Sequence, residues 1–359
     1  MIYLDYQATT PLAPEARDAM MQWLDGPGGT GFGNPHSPHR MGRQAAAAIE
    51  LARDRVAALF PAGGRVIFTS GATEAVNLAI RGTASQGGQV SMSAIEHACV
   101  LDTARDAGKA HVLNVAKDGQ CNVKQDLPAD TRLVALMQVN NEIGTIQPTV
   151  EWHRKAKAAG ALYLCDAVQA YGKLEVTGAD MIVISAHKLH GPKGVGALWV
   201  RDGVALEEVQ TGGGQEHGLR SGTLSPALIA GFGAAALEAQ ERMVQDAEHI
   251  EELWTRAREL FDAWTVNGSE DARWHGNLNI RRDGLDVSRL MSECRKVMFS
   301  AGSACASGSG RTSHVLEAIG LTASEAKSSI RLGWGRYTTM DELEEAATAI
   351  NAAAEAQGL

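Results

Sequence analysis

Met181-Ile182-Val183-Ile184-Ser185-Ala186-His187-Lys188-Leu189-His190-Gly191-Pro192-Lys193-Gly194-Val195-Gly196-Ala197-Leu198-Trp199-Val200 reads as a strand, a glycine-rich connection and a second strand. Met181–Ser185 is short, continuous and β-branched, as a strand covered on both faces must be. Its link to Gly196–Val200 makes a hairpin-like step. Working outward, further strands are expected at Val66–Thr69, Gln89–Ser93, Leu133–Val139 and Ala161–Cys165. Helical stretches fall between most of them, at Ala45–Phe60, Glu74–Arg81, Val100–Ala107 and Val150–Ala159. That alternation requires crossover connections and a mostly parallel core sheet flanked by helices, an α/β fold. From Pro226 the texture changes to a long helix reaching Trp264, strands near Leu278–Ile280 and Val297–Ser300, and a last helix from Met340 to Ala356. These describe a smaller α+β unit.

Composition narrows the function classes. The 359 residues carry a net charge of −9 and no basic run, which disfavours nucleic acid as a partner. Glycine is enriched, 39 residues or about 11 % against roughly 7 % in general, concentrated in short runs that mark tight turns or close backbone approach. MIYLDYQATT has neither a basic nor an apolar targeting segment, and the apolar stretch Ala227–Ala239 is too short to span a bilayer, so a cytoplasmic protein is expected. Five scattered cysteines, never paired as CxxC, give neither a disulfide framework nor a zinc site; no metal is expected.

Candidate chemical groups cluster where strands end. Lys188 follows Met181–Ser185, and a desolvated lysine there has an amine free to form a Schiff base with an aldehyde cofactor. The alternative is a surface loop lysine. The glycines after it lead into a strand, so a dinucleotide loop is rejected. Asp166 closes Ala161–Cys165, where a carboxylate can hold a pyridine nitrogen protonated; a helix cap or metal ligand are the other readings. Gln169 can donate to a ring phenolate. Ser70-Gly71-Ala72-Thr73-Glu74 opens a helix and offers N–H groups to a phosphate, with Thr73 or Ser70 as an ordinary cap, and both can hold. His97 can stack on a planar ring, or be structural. Cys305 sits in Ser300–Gly310, a window with nothing larger than Ala or Ser apart from the thiol, which favours accessibility over core burial. Cys99, Cys165 and Cys294 read as structural and Cys121 as a loop residue.

Together these segments resemble the cysteine desulfurases of the class V aminotransferase superfamily. The likeness runs through Tyr3-Leu4-Asp5-Tyr6, Gly33-Asn34-Pro35, Thr69–Glu74, Glu96-His97, Val139–Gly144, Asp166-Ala167, His187-Lys188, Arg220-Ser221-Gly222-Thr223, Gly302–Cys305 and Ser329-Ile330-Arg331. It implies the type I fold of pyridoxal-phosphate (PLP) transferases. A large cofactor domain would cover 13–250, and a small domain from 1–12 and 251–359 would carry Cys305. By the same likeness, Lys188 forms the Schiff base with pyridoxal 5′-phosphate, Asp166 pairs with the pyridine nitrogen, and Gln169 and Asn141 contact the ring oxygen. His97 stacks and shuttles protons. Ala72, Thr73, Ser185 and His187 hold the phosphate, and Thr223 reaches the phosphate of a neighbouring subunit, which implies a homodimer. Arg331 and Asn34 hold the carboxylate of L-cysteine, and Cys305 takes its sulfur as a persulfide for an acceptor protein. Selenocysteine lyase and a transaminase on the same fold are the rivals; a non-catalytic binding subunit would leave Lys188 or Cys305 idle. Ala186 stands where a glycine is common, which is tolerable at negative φ. Longer relatives carry a C-terminal tail implicated in docking an iron–sulfur scaffold, and this chain ends at Leu359, which leaves the acceptor open.

Overall fold

The computed structural model of the chain describes residues 1–176, 178–302 and 312–359; Cys305 lies outside them. Seven strands form the main sheet: β1 (Gly64–Thr69), β2 (Gln89–Ser93), β3 (Ala110–Leu113), β4 (Thr131–Met137), β5 (Leu162–Asp166), β6 (Met181–Ser185) and β7 (Gly196–Arg201). Their spatial order is β1-β7-β6-β5-β4-β2-β3. From β6 to β3 every pairing is parallel, and β7 runs antiparallel to both of its neighbours, as the short connection requires. The short edge strand β3 was not expected. Its four residues include Lys109-flanked polar His111 and the 40 % exposed Val112, so it lacks the apolar run that marks the central strands.

The continuous hydrophobicity of the central strands follows from cover on both faces. In β6, Met181 and Val183 pack into one cluster with α3 (Ala72–Gly82) and α4 (Ala98–Asp106). The alternate residues Ile182 and Ile184 join the opposite cluster. That second layer contains α2 (Arg40–Ala57), α5 (Thr149–Ala158) and the first half of α6 (Pro226–Leu260). Helix α6 also packs on α1 (Pro14–Met21), and its glycines set the approach: a Cβ on Gly233 would lie 2.7 Å from Ala52 Cα of α2. Among the described residues no helix is long and apolar enough to cross a membrane.

The C-terminal strands make a separate antiparallel sheet. Its members are β8 (Thr265–Val266), β9 (Asn277–Arg281), β10 (Ser300–Ala301) and β11 (Ser329–Gly333), in the order β10-β11-β9-β8. The run Val297–Ser300, expected as one strand, divides between two partners. Val297–Met298 pairs in parallel with Ile2–Tyr3, while Ser300 pairs with Arg331. The chain's first residues are thereby tied to its last third. Helix α7 (Met340–Glu355) opens on a capping box between Thr339 and Glu342.

Candidate active site

The residues singled out in the sequence come together at one edge of the main sheet. In parallel sheets all strands deliver their carboxyl ends to the same side, which is where ligands bind. A cleft of about 670 Å³ opens there, lined by ten of the predicted residues: Ala72, Thr73, His97, Asn141, Asp166, Gln169, Ser185, His187, Lys188 and Arg331.

Strand β6 ends in Ser185 and passes directly into a single 3-10 turn, Ala186–Lys188, which turns Lys188 back over the sheet. Ala186 does not adopt positive φ, so its methyl group is accepted where a glycine is common. The lysine is not a solvated loop residue: it lines the cleft, and its Nζ donates to the carbonyls of Gln7 and, at 2.8 Å, Ala8. His187 Nδ1 lies 3.1 Å from Thr9 Oγ1, and burial beside Lys188 drops its pKa to about 4, so it is a neutral imidazole at pH 7.

Asp166 is the last residue of β5 and is buried. Val168 N–H donates to its Oδ1 at 3.0 Å. Burial raises its pKa, against the pull of His97 and Lys188. Gln169 donates from Nε2 to the Gln7 carbonyl at 3.0 Å, while its buried Oε1 has no hydrogen-bond partner among the described residues.

Helix α3 begins at Ala72, two residues earlier than expected, because Gly71 is its cap position and brings no side chain. Neither Ser70 nor Thr73 caps it. Glu74 accepts from Ser70 N–H at 2.7 Å and pairs with Arg220 at 2.6 Å, which pins the turn from behind. The first-turn N–H groups of α3 thus start at the cleft with no side-chain acceptor among the described residues, the arrangement that receives phosphate. Close packing makes this turn: a Cβ on Gly196 of β7 would fall 2.8 Å from Gly71 Cα.

His97 caps α4 with its own ring: Cys99 N–H donates to Nδ1 at 3.2 Å. Burial lowers its pKa. Arg331 comes from β11, is 1 % exposed, and donates to Asp5 Oδ1 at 2.8 Å and to the Asn141 carbonyl at 3.0 Å.

Two predicted residues stand elsewhere. Asn34 is exposed, is not part of the cleft lining, and accepts from His36 N–H at 2.9 Å; Thr223 is exposed and also outside it. Sequence reasoning missed Gln7, Thr9, Cys99 and Lys193, all of which line the cleft. For Gln7 and Thr9 the signal was at hand, since they directly follow the stretch Tyr3–Tyr6 that opens the likeness. Cys99 was taken as structural, and it is helical, but its Sγ is 3.0 Å from His97 Nδ1. Cys121, expected in a loop, is fully buried, because the Val115–Cys121 bridge folds its turn against Trp152, whose Nε1 donates to the Cys121 carbonyl at 2.9 Å.

The donor set suits a phosphorylated heteroaromatic aldehyde. A buried carboxylate, a lysine amine, a helix N-terminus and, at Gln169, a buried amide oxygen with no hydrogen-bond partner among the described residues share one cleft, matching the pyridine nitrogen, aldehyde, phosphate and ring oxygen of such a group. The chain belongs to the class-V aminotransferase family, whose sequence profile matches residues 2–345. Within it, the chain is similar to a mitosomal cysteine desulfurase of Trachipleistophora hominis, 42 % identical over 96 % of this chain and 84 % of the relative. Among solved structures, a NifS-like protein superimposes with a TM-score of 0.89 at 30 % identity, covering 98 % of both chains. A second, SspA in complex with cysteine, has a TM-score of 0.83 at 32 % identity over 94 % of this chain and all (100 %) of the other. The family is PLP-dependent, and the fold is that of type I PLP enzymes.

Proposed function

We propose that the protein is a cysteine desulfurase, converting L-cysteine to L-alanine and transferring the sulfur to Cys305 as a persulfide. The observation that carries this reading is the convergence of Lys188, Asp166, Gln169, His97 and the N-terminus of α3 on one cleft. PLP, when bound, supplies an electron-withdrawing ring that acidifies the substrate Cα–H and labilises the C–S bond. Lys188 would hold its aldehyde carbon, Asp166 its pyridine nitrogen, Gln169 and Asn141 its ring oxygen, and Ala72, Thr73, Ser185 and His187 its phosphate.

The chain's own residues then divide the work. Arg331 takes the substrate carboxylate, its fork already oriented by Asp5; Asn34, exposed and outside the cleft lining, joins it by family likeness alone. Lys188 Nζ moves the Cα proton. By family likeness His97 would cover the ring and supply a hydrogen bond or proton to negative charge arising there. Cys305, as thiolate, attacks the substrate sulfur: an S–S bond forms, the C–S bond breaks, and the carbon fragment leaves as alanine once protonated. An acceptor protein then receives the sulfur.

A division into a large domain over 13–250 and a small one from 1–12 and 251–359 is supported by the pairing of Ile2–Tyr3 with Val297–Met298. A homodimer is supported by the exposed Thr223, which stands clear of its own cleft, and by the exposed apolar side chains of Met21, Leu24 and Phe32. We place the protein in the cytoplasm, where the free thiols of Cys99, Cys121, Cys165 and Cys294 stay reduced. The deciding experiment is mass spectrometry of the protein after incubation with cysteine. One added sulfur on the peptide holding Cys305, with alanine released, is expected; an unmodified Cys305 beside released alanine would refute the assignment.

A further inference from the structure

We infer that Cys99 is a positioning residue that fixes the proton of His97 on Nε2, so that the ring meets the cleft as a hydrogen-bond donor. The consequence for catalysis rests on the desulfurase reading; the tautomer does not.

A backbone N–H can only donate, and that of Cys99 points at His97 Nδ1 from 3.2 Å. That long contact favours a lone pair on Nδ1 but does not by itself fix it. The Cys99 side chain adds a second contact to the same nitrogen, with Sγ at 3.0 Å. Burial, with Asp166 and Glu96 adding, pushes this thiol up to about 12, so it stays protonated and able to donate at neutral pH. A doubly protonated ring would set its own N–H against the Cys99 N–H. Burial disfavours that cation as well, reinforced by Lys188 and His314 and opposed by Asp166 and Asp102. What remains is a neutral imidazole with its single proton on Nε2.

Held this way, His97 cannot withdraw a proton from the substrate through Nε2, which has no lone pair. It can donate a hydrogen bond to negative charge arising in the cleft. Cys99 also adjoins Thr73 of α3, so one thiol spans the stacking histidine and the phosphate turn.

The test is nitrogen NMR of the holoenzyme labelled with 15N-histidine, the His97 signals being those lost in His97→Gln. Expected are a protonated Nε2 and an unprotonated Nδ1 in the wild type, a raised share of the other tautomer in Cys99→Ala, and restoration in Cys99→Ser. Turnover should follow, with kcat about two- to tenfold lower in the alanine variant, the size of one neutral hydrogen bond, KM unchanged, and the serine variant recovered. A protonated Nδ1 in the wild type overturns the inference. So does a Cys99→Ala spectrum identical to the wild type, which would leave the lock to the backbone alone. A protonated Nε2 in a protein that releases no sulfur would instead refute the desulfurase reading and leave the tautomer standing.

Discussion

The guanidinium of Arg331 and the carboxylate of Asp5 meet at 2.8 Å although 326 positions separate them in the chain. Both belong to short segments that the sequence joins only through the final fold: Asp5 follows the strand Ile2–Tyr3, and Arg331 is the centre of β11. Ser300 Oγ, one end of β10, donates to the same carboxylate at 2.9 Å. The pair thus knots the N-terminus, the small sheet and the strand preceding the Cys305 segment at the wall of the cleft.

Arg331→Lys tests the fork directly. Lysine keeps the charge but cannot reach Asp5 and the Asn141 carbonyl in one plane while facing a carboxylate. The expected outcome is a KM for cysteine raised about 10- to 100-fold with a smaller change in kcat, the size of a charge-assisted hydrogen bond. Steady-state kinetics decide it. An unchanged KM would remove Arg331 from substrate binding.

Lys173 is held in a less favourable place. Its Nζ lies 6.0 Å from the centre of the Trp274 ring, and burial, with Lys188 adding, drops its pKa from 10.5 to about 7. Between those values the unfolded chain binds the proton and the folded chain does not. Stability therefore climbs as pH rises through that window, and below about 7 the fold bears the cost of holding a charge on this half-buried side chain. Lys173→Met should stabilise the protein by about 1–3 kcal/mol near neutral pH and flatten the climb on the alkaline side. Urea unfolding at several pH values reads both effects; a destabilised variant with the slope intact would contradict them.

Gly196→Ala probes the packing behind the phosphate turn. The added methyl would sit 2.6 Å from the Ile184 carbonyl oxygen and 2.8 Å from Gly71 Cα, both backbone atoms that cannot swing aside. A loss of about 1–3 kcal/mol is expected, as for other overpacked sites. Because the displaced atom is Gly71, PLP affinity should fall with it. Equilibrium unfolding and cofactor titration measure the two. Tight cofactor binding in a destabilised variant would separate the packing from the phosphate site.

Much of this was legible in the chain because strand ends are both easy to see and chemically placed. Once Met181–Ser185 and Ala161–Cys165 read as buried parallel strands, Lys188 and Asp166 had to emerge on the same edge. The phosphate turn was equally visible, though its helix start was set two residues late, since a glycine cap has no side chain to announce it. Arg331 was recognised by family likeness only: β11 is five residues long and its partner Asp5 is remote, so no local pattern reports their pairing. The edge strand β3 was missed for the opposite reason, being too polar to display a buried face. Cys99 illustrates a third limit. Its helical position was apparent, but its contact with His97 depends on a ring turning back to cap its own helix, which periodicity does not encode.

Lys188→Ala bears on the centre of the proposal. Removing the amine deletes the covalent hold on the cofactor and the group assigned to move the Cα proton, but leaves Asp166, Gln169 and the α3 turn in place. PLP should therefore still bind, more weakly, and without the visible absorption of the lysine-bound form. Turnover should fall by at least about 10²-fold, the usual worth of a positioned acid–base group. The absorption spectrum of the purified variant gives the first answer and alanine release the second. Normal lysine-bound absorption after this substitution would place the covalent link on another lysine. Lys193, which also lines the cleft, would be the one to replace next.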